Sequence, residues 1–345
     1  MLLTAHNFSR NSHNTTFSKA HKKLTMKPTE NLSMNAEAVA ESLYAMIQRE
    51  LSPHSCSCHG GYLDPSDPTI MITVDDREQL VDWCYGLVDY CQYSRETVAS
   101  AMEMVDRFLS MSTPSNSVDA ARERDEILKD PCKFQLLIIA AVYCSIKINE
   151  PTVLSSDLLS IICSHRYTSA EIEDMEHKLL CGLSWRCYAP TAQQVGYSIL
   201  SLVLPHVDIS QMTWSLILDE MLYLIELAVQ DYYLSMQRAS TIALAAIFNV
   251  MSDTRTKECK KDFKALLSVI MDCFDLDQSD QIQAARRRLR SFTHADGDTD
   301  VENIASDDDS ELLIISGRII KVSNKSCSHQ HIWNTTRFSD ISLFE

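Results

Sequence analysis

Glycine and proline are scarce in this chain, which holds 7 glycines and 9 prolines among 345 residues. Glycine makes up about 2% of the sequence, against a usual share of roughly 7%. Tight turns and nucleotide-binding loops need glycine because it adopts backbone angles that other residues avoid. Neither G-x-G-x-x-G nor G-x-x-x-x-G-K-[ST] occurs in the sequence. These absences disfavour β-sandwiches, β-barrels and phosphate-loop folds, and they predict a mostly helical protein.

Long apolar runs are also missing. The longest uncharged stretch, Cys187–Val207, is interrupted by Pro190, Gln193 and Pro205, a pattern typical of a linker followed by a short helix. We therefore expect no membrane-spanning segment and no membrane partner.

Basic residues are in short supply, because 31 Lys and Arg face 47 Asp and Glu, for a formal net charge of −16. Residues 1–35 are nevertheless basic, since they hold five Lys or Arg and a single acid. The segment 36–291 is itself acidic. A protein that binds nucleic-acid phosphates needs a basic face. The charge balance therefore predicts that nucleic acid is not a partner.

The twelve cysteines are scattered along the chain. Four of them fall within apolar helical patterns, namely Cys84, Cys91, Cys144 and Cys181. Buried, reduced thiols are typical of proteins from reducing compartments. This usage predicts a nuclear or cytoplasmic protein, or one present in both compartments.

Motifs for metal binding or catalysis are weak. The tract His54–His59 contains two Cys and two His, but it lacks a second ligand pair at zinc-finger spacing. A polar loop is the favoured interpretation, and a bound metal is the alternative. No Cys/His or Ser/His/Asp grouping stands in a recognisable local context. We predict a non-catalytic protein without a catalytic residue, metal or cofactor of its own.

Apolar positions recur at helical spacing over most of the chain. We expect a disordered basic arm at residues 1–35, and an N-terminal helix with a polar linker at 36–70. Five helical patterns then fill residues 71–190, among them the charge-free Phe134–Ile146, which predicts a central helix buried on every face. Thr168 and Glu171 form a capping-box pattern that predicts the start of the fifth helix.

An internal repeat predicts a second, related unit over residues 191–292. The hexapeptide Asp106–Met111 has a counterpart in Asp231–Met236, and another charge-free segment, Ala239–Met251, follows it. A charged insert at 112–132 accounts for the longer spacing in the first copy, and its charge alternation indicates a small exposed helix. The predicted fold is therefore all-α, with tandem five-helix domains, an N-terminal helix and disordered termini.

The last segment, 293–345, is acidic and is expected to be largely disordered. Ser306 and Ser310 stand beside Asp307–Asp309 and are candidate phosphosites. Leu312–Ile320 is apolar enough to dock elsewhere or to form a strand.

Ordered sequence blocks over the predicted first domain resemble the cyclin box. The resemblance runs through Arg77–Trp83, Val105–Ser110, Lys133–Ala141, Ser145–Glu150, Tyr167–Glu176 and Leu183–Thr191. The second domain resembles a second cyclin box more loosely, through Leu227–Leu234 and the Ala-rich segment after Ser240. The resemblance implies two cyclin-fold domains at 71–190 and 191–292.

What the resemblance implies is a regulatory subunit that binds and activates a cyclin-dependent Ser/Thr kinase in cell-cycle control. Lys147 and Glu176 match the charged pair at the centre of the family's kinase contact, and Glu150 lies near them. ATP and Mg²⁺ would belong to the kinase. Physical reasoning is compatible with this role, because Glu176 borders an apolar stripe that contains Ile172 and Leu179. Ordinary solvated charges are the alternative interpretation of Lys147 and Glu176.

Two further sites are implied by the same resemblance. Arg77 and Asp106 match a structural ion pair, whose disruption is expected to unfold the domain. Three residues match a groove that recruits kinase substrates or inhibitors, namely Leu80, Trp83 and Gln135. Asp76 and Gln79 depart from that groove, because apolar residues are usual at their positions.

Two other functions remain open for a cyclin-like fold. The first is a protein-interaction scaffold that does not activate a kinase. The second is a transcription-factor-type paired cyclin fold, which would need a basic surface and usually a zinc ribbon. The acidic charge and the absence of paired C-x-x-C motifs disfavour this second alternative.

Overall fold

The computed structural model describes residues 30–51, 61–111, 118–203, 206–207, 210–252, 260–274, 276, 279–295, 312–315 and 318–321. Over these residues the regular secondary structure is helical except for one two-stranded hairpin. The helices are α1 Glu30–Glu50, α2 Val74–Tyr90, α3 Glu96–Ser110, α4 Val118–Leu128, α5 Pro131–Asn149, α6 Ser156–Ile162, α7 Ser169–Gly182, α8 Ala192–Val203, α9 Gln211–Gln230, α10 Tyr232–Ser235, α11 Ala239–Val250, α12 Lys260–Phe274 and α13 Ser279–Ala295. The predicted all-α class is confirmed.

Helix α5 is the centre of a first apolar core. Its start is fixed by Asp130, whose carboxylate accepts a hydrogen bond from the Cys132 amide at 2.9 Å, and by Pro131 in the first turn. Among the described residues α5 alone is long and apolar enough to cross a bilayer, and about two thirds of it is buried inside the protein. The predicted charge-free central helix is thus present, surrounded by α3, α4 and α7.

A second apolar core surrounds α11. Its buried small side chains, such as Ala243 and Ala246, let the neighbouring helices α8, α9 and α13 approach closely. Helix α1 also belongs to this core, because Leu43 and Ile47 are buried in it and α1 packs against α8. The N-terminal helix therefore precedes the first core in sequence but packs with the second.

The beginning of the described chain differs from the sequence prediction. Helix α1 begins at Glu30, whereas residues up to 35 were expected to be disordered. No glycine or proline lies between Glu30 and Ala36 to interrupt the helix. The predicted linker is also partly ordered, since Tyr62 and Leu63 are buried in the first core. The rest of the predicted basic arm and the tract His54–His59 lie outside the described residues.

The charged insert is more structured than predicted. It contains α4, and one face of this helix is buried, because Ile127 is fully enclosed and Arg124 lies 6.0 Å above the Phe108 ring. The expectation of an exposed helix was therefore wrong for this face. The insert also ends earlier than predicted, since Pro131 and Cys132 belong to α5.

The last part of the chain adds two features to the prediction. Helix α13 continues three residues past the predicted boundary at Phe292. Within the predicted disordered tail, β1 (Leu312–Ile315) pairs antiparallel with β2 (Arg318–Lys321), with Leu313 opposite Ile320. The strand interpretation of this apolar segment is thus confirmed. Ser306 and Ser310 lie outside the described residues.

Candidate functional site

Lys147 and Glu176 form an ion pair at the surface of the first core. The Lys147 ammonium lies 2.5 Å from Glu176 Oε1 and donates a 2.6 Å hydrogen bond to Oε2. It also lies 4.0 Å from the centre of the Tyr143 ring. The Glu176 side chain is only 10% exposed, whereas that of Lys147 is 35% exposed. The Glu176 carboxylate therefore lies at the edge of an apolar surface, and the Lys147 ammonium lies on its solvent side.

Two helices hold this pair in place. Lys147 stands in the last turn of α5, and Glu176 stands midway along α7, which packs against α5. The predicted capping box is confirmed, because Thr168 and Glu171 exchange hydrogen bonds at the start of α7. Ile172 and Leu179 are buried on the inner face of α7, which brings Glu176 to the border of that face.

Exposed apolar side chains flank the ion pair in sequence. Ile148, next to Lys147, is 49% exposed, and Trp185, which follows α7, is 64% exposed. Ser184 and Trp185 have positive φ angles of 50° and 60°, which are uncommon for residues other than glycine. The Trp185 ring makes an edge contact with His177, the neighbour of Glu176. The backbone thus holds a large aromatic side chain in solvent, in contact with a residue next to Glu176 in sequence.

Glu150 is engaged elsewhere. It caps the end of α5, and its Oε1 accepts hydrogen bonds from the Ser94 amide at 2.9 Å and from the Thr97 hydroxyl. Its carboxylate therefore ties the start of α3 to the end of α5. The structure brings Lys147 and Glu176 together, but it does not bring Glu150 into their ion pair.

Arg77 and Asp106 form a buried bidentate ion pair between α2 and α3. Arg77 Nη2 lies 2.6 Å from Asp106 Oδ2, and Arg77 Nε donates to Oδ1 at 3.1 Å. The remaining nitrogen, Nη1, donates to the carbonyls of Val229 and Gln230 at 2.9 and 2.8 Å. Because these carbonyls end α9, Arg77 also satisfies the C-terminus of a helix in the second core.

Sequence reasoning missed two tyrosines that complete this network. The Tyr62 hydroxyl donates to Asp106 Oδ1 at 2.7 Å. The Tyr232 hydroxyl accepts hydrogen bonds from the amides of Tyr62 and Leu63 at 2.5 and 2.7 Å. These contacts join residues about 170 positions apart, so local spacing carried no signal of them. They attach the segment before α2 to α3 and to α10.

The second copy of the repeated hexapeptide contains Asp231, which forms an ion pair with Arg288 that was not predicted from the sequence. Asp106 lies within the continuous helix α3, whereas Asp231 ends α9 and caps the four-residue helix α10. Asp231 is buried and accepts bidentate hydrogen bonds from Arg288 at 2.6 to 2.9 Å. The aspartate of each copy thus has an arginine partner, and the repeat itself was the signal that could have predicted it.

Two of the three residues predicted for the substrate groove are buried. Leu80 and Gln135 are buried, and Gln135 Oε1 accepts a 2.8 Å hydrogen bond from the Tyr167 hydroxyl. Trp83 is half-buried. Asp76, which departs from the family's pattern, completes a capping box with Thr73 at the start of α2. Only Trp83 among the three predicted groove residues presents part of its surface to solvent.

The predicted thiols divide into two groups. Cys84 and Cys144 are buried, and burial raises the pKa of Cys144 to about 12, which keeps it protonated at neutral pH. Cys91 is half-buried and Cys181 is exposed, so the prediction of burial was wrong for Cys181, which lies near the exposed end of α7. In the part of the chain that the structure describes, no three His, Cys, Asp or Glu side chains converge as metal ligands.

Comparison with known proteins identifies this architecture. A family model described as "Cyclin, N-terminal domain" matches residues 43–188, which include Lys147, Glu176, Arg77 and Asp106. This match places the region 43–188 in the cyclin family. Cyclin-A3-2 of Arabidopsis thaliana is 21% identical to this cyclin over 237 residues, 64% of the chain and 58% of the relative. The G1/S-specific cyclin-D3 of Bos taurus is 22% identical over 251 residues, 71% of the chain and 72% of the relative.

The cyclin spans a little over half the length of its Arabidopsis relative. Among solved structures, a viral cyclin from herpesvirus saimiri superposes with a TM-score of 0.49 and 14% identity, covering 73% of this cyclin and 96% of that chain. The family assignment rests on the sequence matches, and the helical fold is observed directly.

Proposed function

We propose that this cyclin is a regulatory subunit that binds and activates a cyclin-dependent Ser/Thr kinase. The observation that carries the proposal is the Lys147–Glu176 ion pair, because its carboxylate lies at the border of apolar surface while its ammonium faces solvent. Charges rimmed by apolar side chains suit a protein interface better than an ordinary solvated surface. The kinase would supply ATP, Mg²⁺ and all catalytic residues.

Activation would be a shift of the kinase population towards its active conformation. By family resemblance, the first domain would pack against the mobile helix of the kinase small lobe and the activation segment. Ile148 and Trp185 would add apolar contact area beside the charged pair. A cyclin that binds only the ordered kinase conformation stabilises it by the difference between its affinities for the two states.

Cell-cycle control in the nucleus or cytoplasm belongs to the same proposal. The relatives carry names that refer to the G1/S transition and to mitosis, such as the G2/mitotic-specific cyclin S13-7 of Glycine max. At identities of 21–25% these names support a cell-cycle role without selecting one stage.

The test is co-purification followed by a kinase assay. The full chain, bearing an affinity tag, is expressed in a eukaryotic cell, and the bound kinase is identified and assayed on a peptide substrate. We expect the kinase activity in the complex to exceed that of the kinase alone. A kinase that is bound without gain of activity would contradict activation and favour the scaffold alternative. Loss of the bound kinase is expected in a Glu176→Lys variant but not in Arg122→Ala, an exposed control on α4.

A further inference from the structure

A cleft of about 600 Å³ lies between the two cores. It is bounded by the end of α1, by α3, by the connection between α7 and α8, by the end of α9 and by the start of α11. Its volume falls in the range of about 300–1,000 Å³ that is usual for ligand-binding pockets. Neither Lys147 nor Glu176 is part of its lining, whereas Trp185, which is proposed as an apolar kinase contact, does line it.

The lining of this cleft is basic, although the protein as a whole is acidic. Five arginines face three carboxylates in the lining. The five are Arg49, Arg77, Arg107, Arg186 and Arg238. Arg77 is neutralised by Asp106, and Arg107 lies 3.4 Å from Glu103. An excess of positive charge remains in a chain whose formal net charge is −16.

The third carboxylate, Glu50, is already engaged. It is buried and accepts hydrogen bonds from the Ser240 hydroxyl and from the Ser240 amide, the latter at 3.0 Å. This amide belongs to the first turn of α11, so the N-terminus of α11 is occupied by an internal anion. Burial raises the pKa of Glu50, and the nearby charge of Arg238 opposes this rise, but the direct hydrogen bonds to the carboxylate come from Ser240.

Three of the arginines lack an ionic partner. Among the described residues, no carboxylate lies within 4.0 Å of a side-chain nitrogen of Arg49, Arg186 or Arg238. Arg49 is oriented by its contact with Tyr188, whose ring centre lies 5.0 Å from the guanidinium carbon. Arg238 immediately precedes α11.

Arg107 provides an independent observation in favour of anion binding in the cleft. Its side chain is only 6% exposed, and one of its nitrogens donates to the Arg186 carbonyl at 2.5 Å. The buried Nε of Arg107 has no hydrogen-bond partner within the described part of the chain. A buried donor left without an acceptor is costly, so an anion in the cleft would satisfy a group that the chain leaves unpaired.

We propose that this cleft binds a phosphorylated serine or threonine side chain of an extended peptide. A phosphate monoester carries about −1.5 to −2 charges at neutral pH and presents three acceptor oxygens, so it matches several guanidinium groups better than a single carboxylate does. The phosphopeptide has two sources. It belongs either to a partner protein or to the acidic segment of this chain that contains Ser306 and Ser310. The proposal does not depend on kinase binding.

Fluorescence anisotropy with the full-length chain tests the site. The probe is a fluorescein-labelled peptide with one phosphothreonine among alanine and glycine residues, and its unphosphorylated form is the reference. We expect phosphate-dependent binding that weakens at least about tenfold in Arg49→Ala and in Arg238→Ala. Arg122→Ala, which removes an exposed arginine outside the cleft, should bind like the unmodified chain.

Two further measurements establish whether the variants fold and which molecule supplies the phosphate. Far-UV circular dichroism establishes that each variant keeps its helices, and Arg238→Lys, which retains the charge, should recover part of the affinity. Equal binding of the phosphorylated and unphosphorylated probes, or unchanged affinity in both alanine variants, would overturn the proposal. Chain phosphorylated on Ser306 should bind the probe more weakly than its Ser306→Ala counterpart if the chain supplies its own phosphate. Equal affinity of these two forms assigns the phosphate to a partner.

Discussion

Removal of Asp106 should destabilise this cyclin more than any change to a surface ion pair. The Arg77 side chain is fully buried and donates hydrogen bonds to Asp106 and to the last carbonyls of α9. In Asp106→Ala the guanidinium keeps its charge but loses its counter-ion, and the Tyr62 hydroxyl loses its acceptor. The expected loss is about 3–5 kcal/mol, a large part of the roughly 5–15 kcal/mol that stabilises most proteins.

Urea denaturation followed by circular dichroism measures this loss. Asp89→Ala is the matched control, because Asp89 pairs with Arg95 at a partly exposed site and its removal should cost less than about 1 kcal/mol. The double variant Arg77→Met/Asp106→Leu removes both charges, so it should cost less than the sum of the single changes. A cost below about 1 kcal/mol for Asp106→Ala, or strict additivity in the double variant, would refute the reasoning.

Two other predictions concern the packing and the titration of buried groups. Burial raises the pKa of Glu103 to about 7, against the opposing charge of Arg107, so the folded state retains a proton that the unfolded chain releases near pH 4.5. The free energy of unfolding should therefore fall between pH 4.5 and 7, by at most about 3 kcal/mol, and urea titrations of Glu103→Gln should lack this decrease. Gly182→Ala should lower the unfolding free energy by about 1–3 kcal/mol, because the new Cβ would lie 2.3 Å from the buried Phe108 ring. Gly196→Ala should be close to neutral by the same assay, because its Cβ meets only the flexible end of Met221; equal costs for the two glycines would contradict the packing argument.

Much of the helical framework was predictable, because local patterns determine it. The charge-free segment Phe134–Ile146 indicated the central helix α5, and the Thr168–Glu171 spacing indicated the capping box that opens α7. The cyclin resemblance supplied the pairing of Arg77 with Asp106. Arg77 and Asp106 have opposite charges, and each lies within a helical stripe. Their spacing alone does not show that they pair with each other rather than with other charged residues.

The remaining features depend on contacts between distant segments. Tyr62 lies in a stretch rich in proline and glycine that indicated a polar linker, yet its side chain is buried. Its hydroxyl donates to Asp106, and its backbone amide donates to the Tyr232 hydroxyl. The exposure of Trp185 was not predictable either, because it accompanies the positive φ angles of Ser184 and Trp185, which no sequence pattern indicates. The interdomain cleft is likewise invisible in sequence, since its arginines come from five separate segments.

The kinase interface is tested most directly by charge exchange at the Lys147–Glu176 pair. The measurement is the dissociation constant of the co-purified kinase for the unmodified cyclin, for Lys147→Glu, for Glu176→Lys and for the double exchange. Lys178→Ala is the control, because Lys178 lies on α7 with Glu176 but pairs with Glu123 and Asp174. We predict that each reversal weakens kinase binding at least about a hundredfold, that the double exchange does not restore it, and that the control binds normally. Restoration by the double exchange, or normal binding in both reversals, would show that the pair only stabilises the cyclin and would contradict the proposed interface.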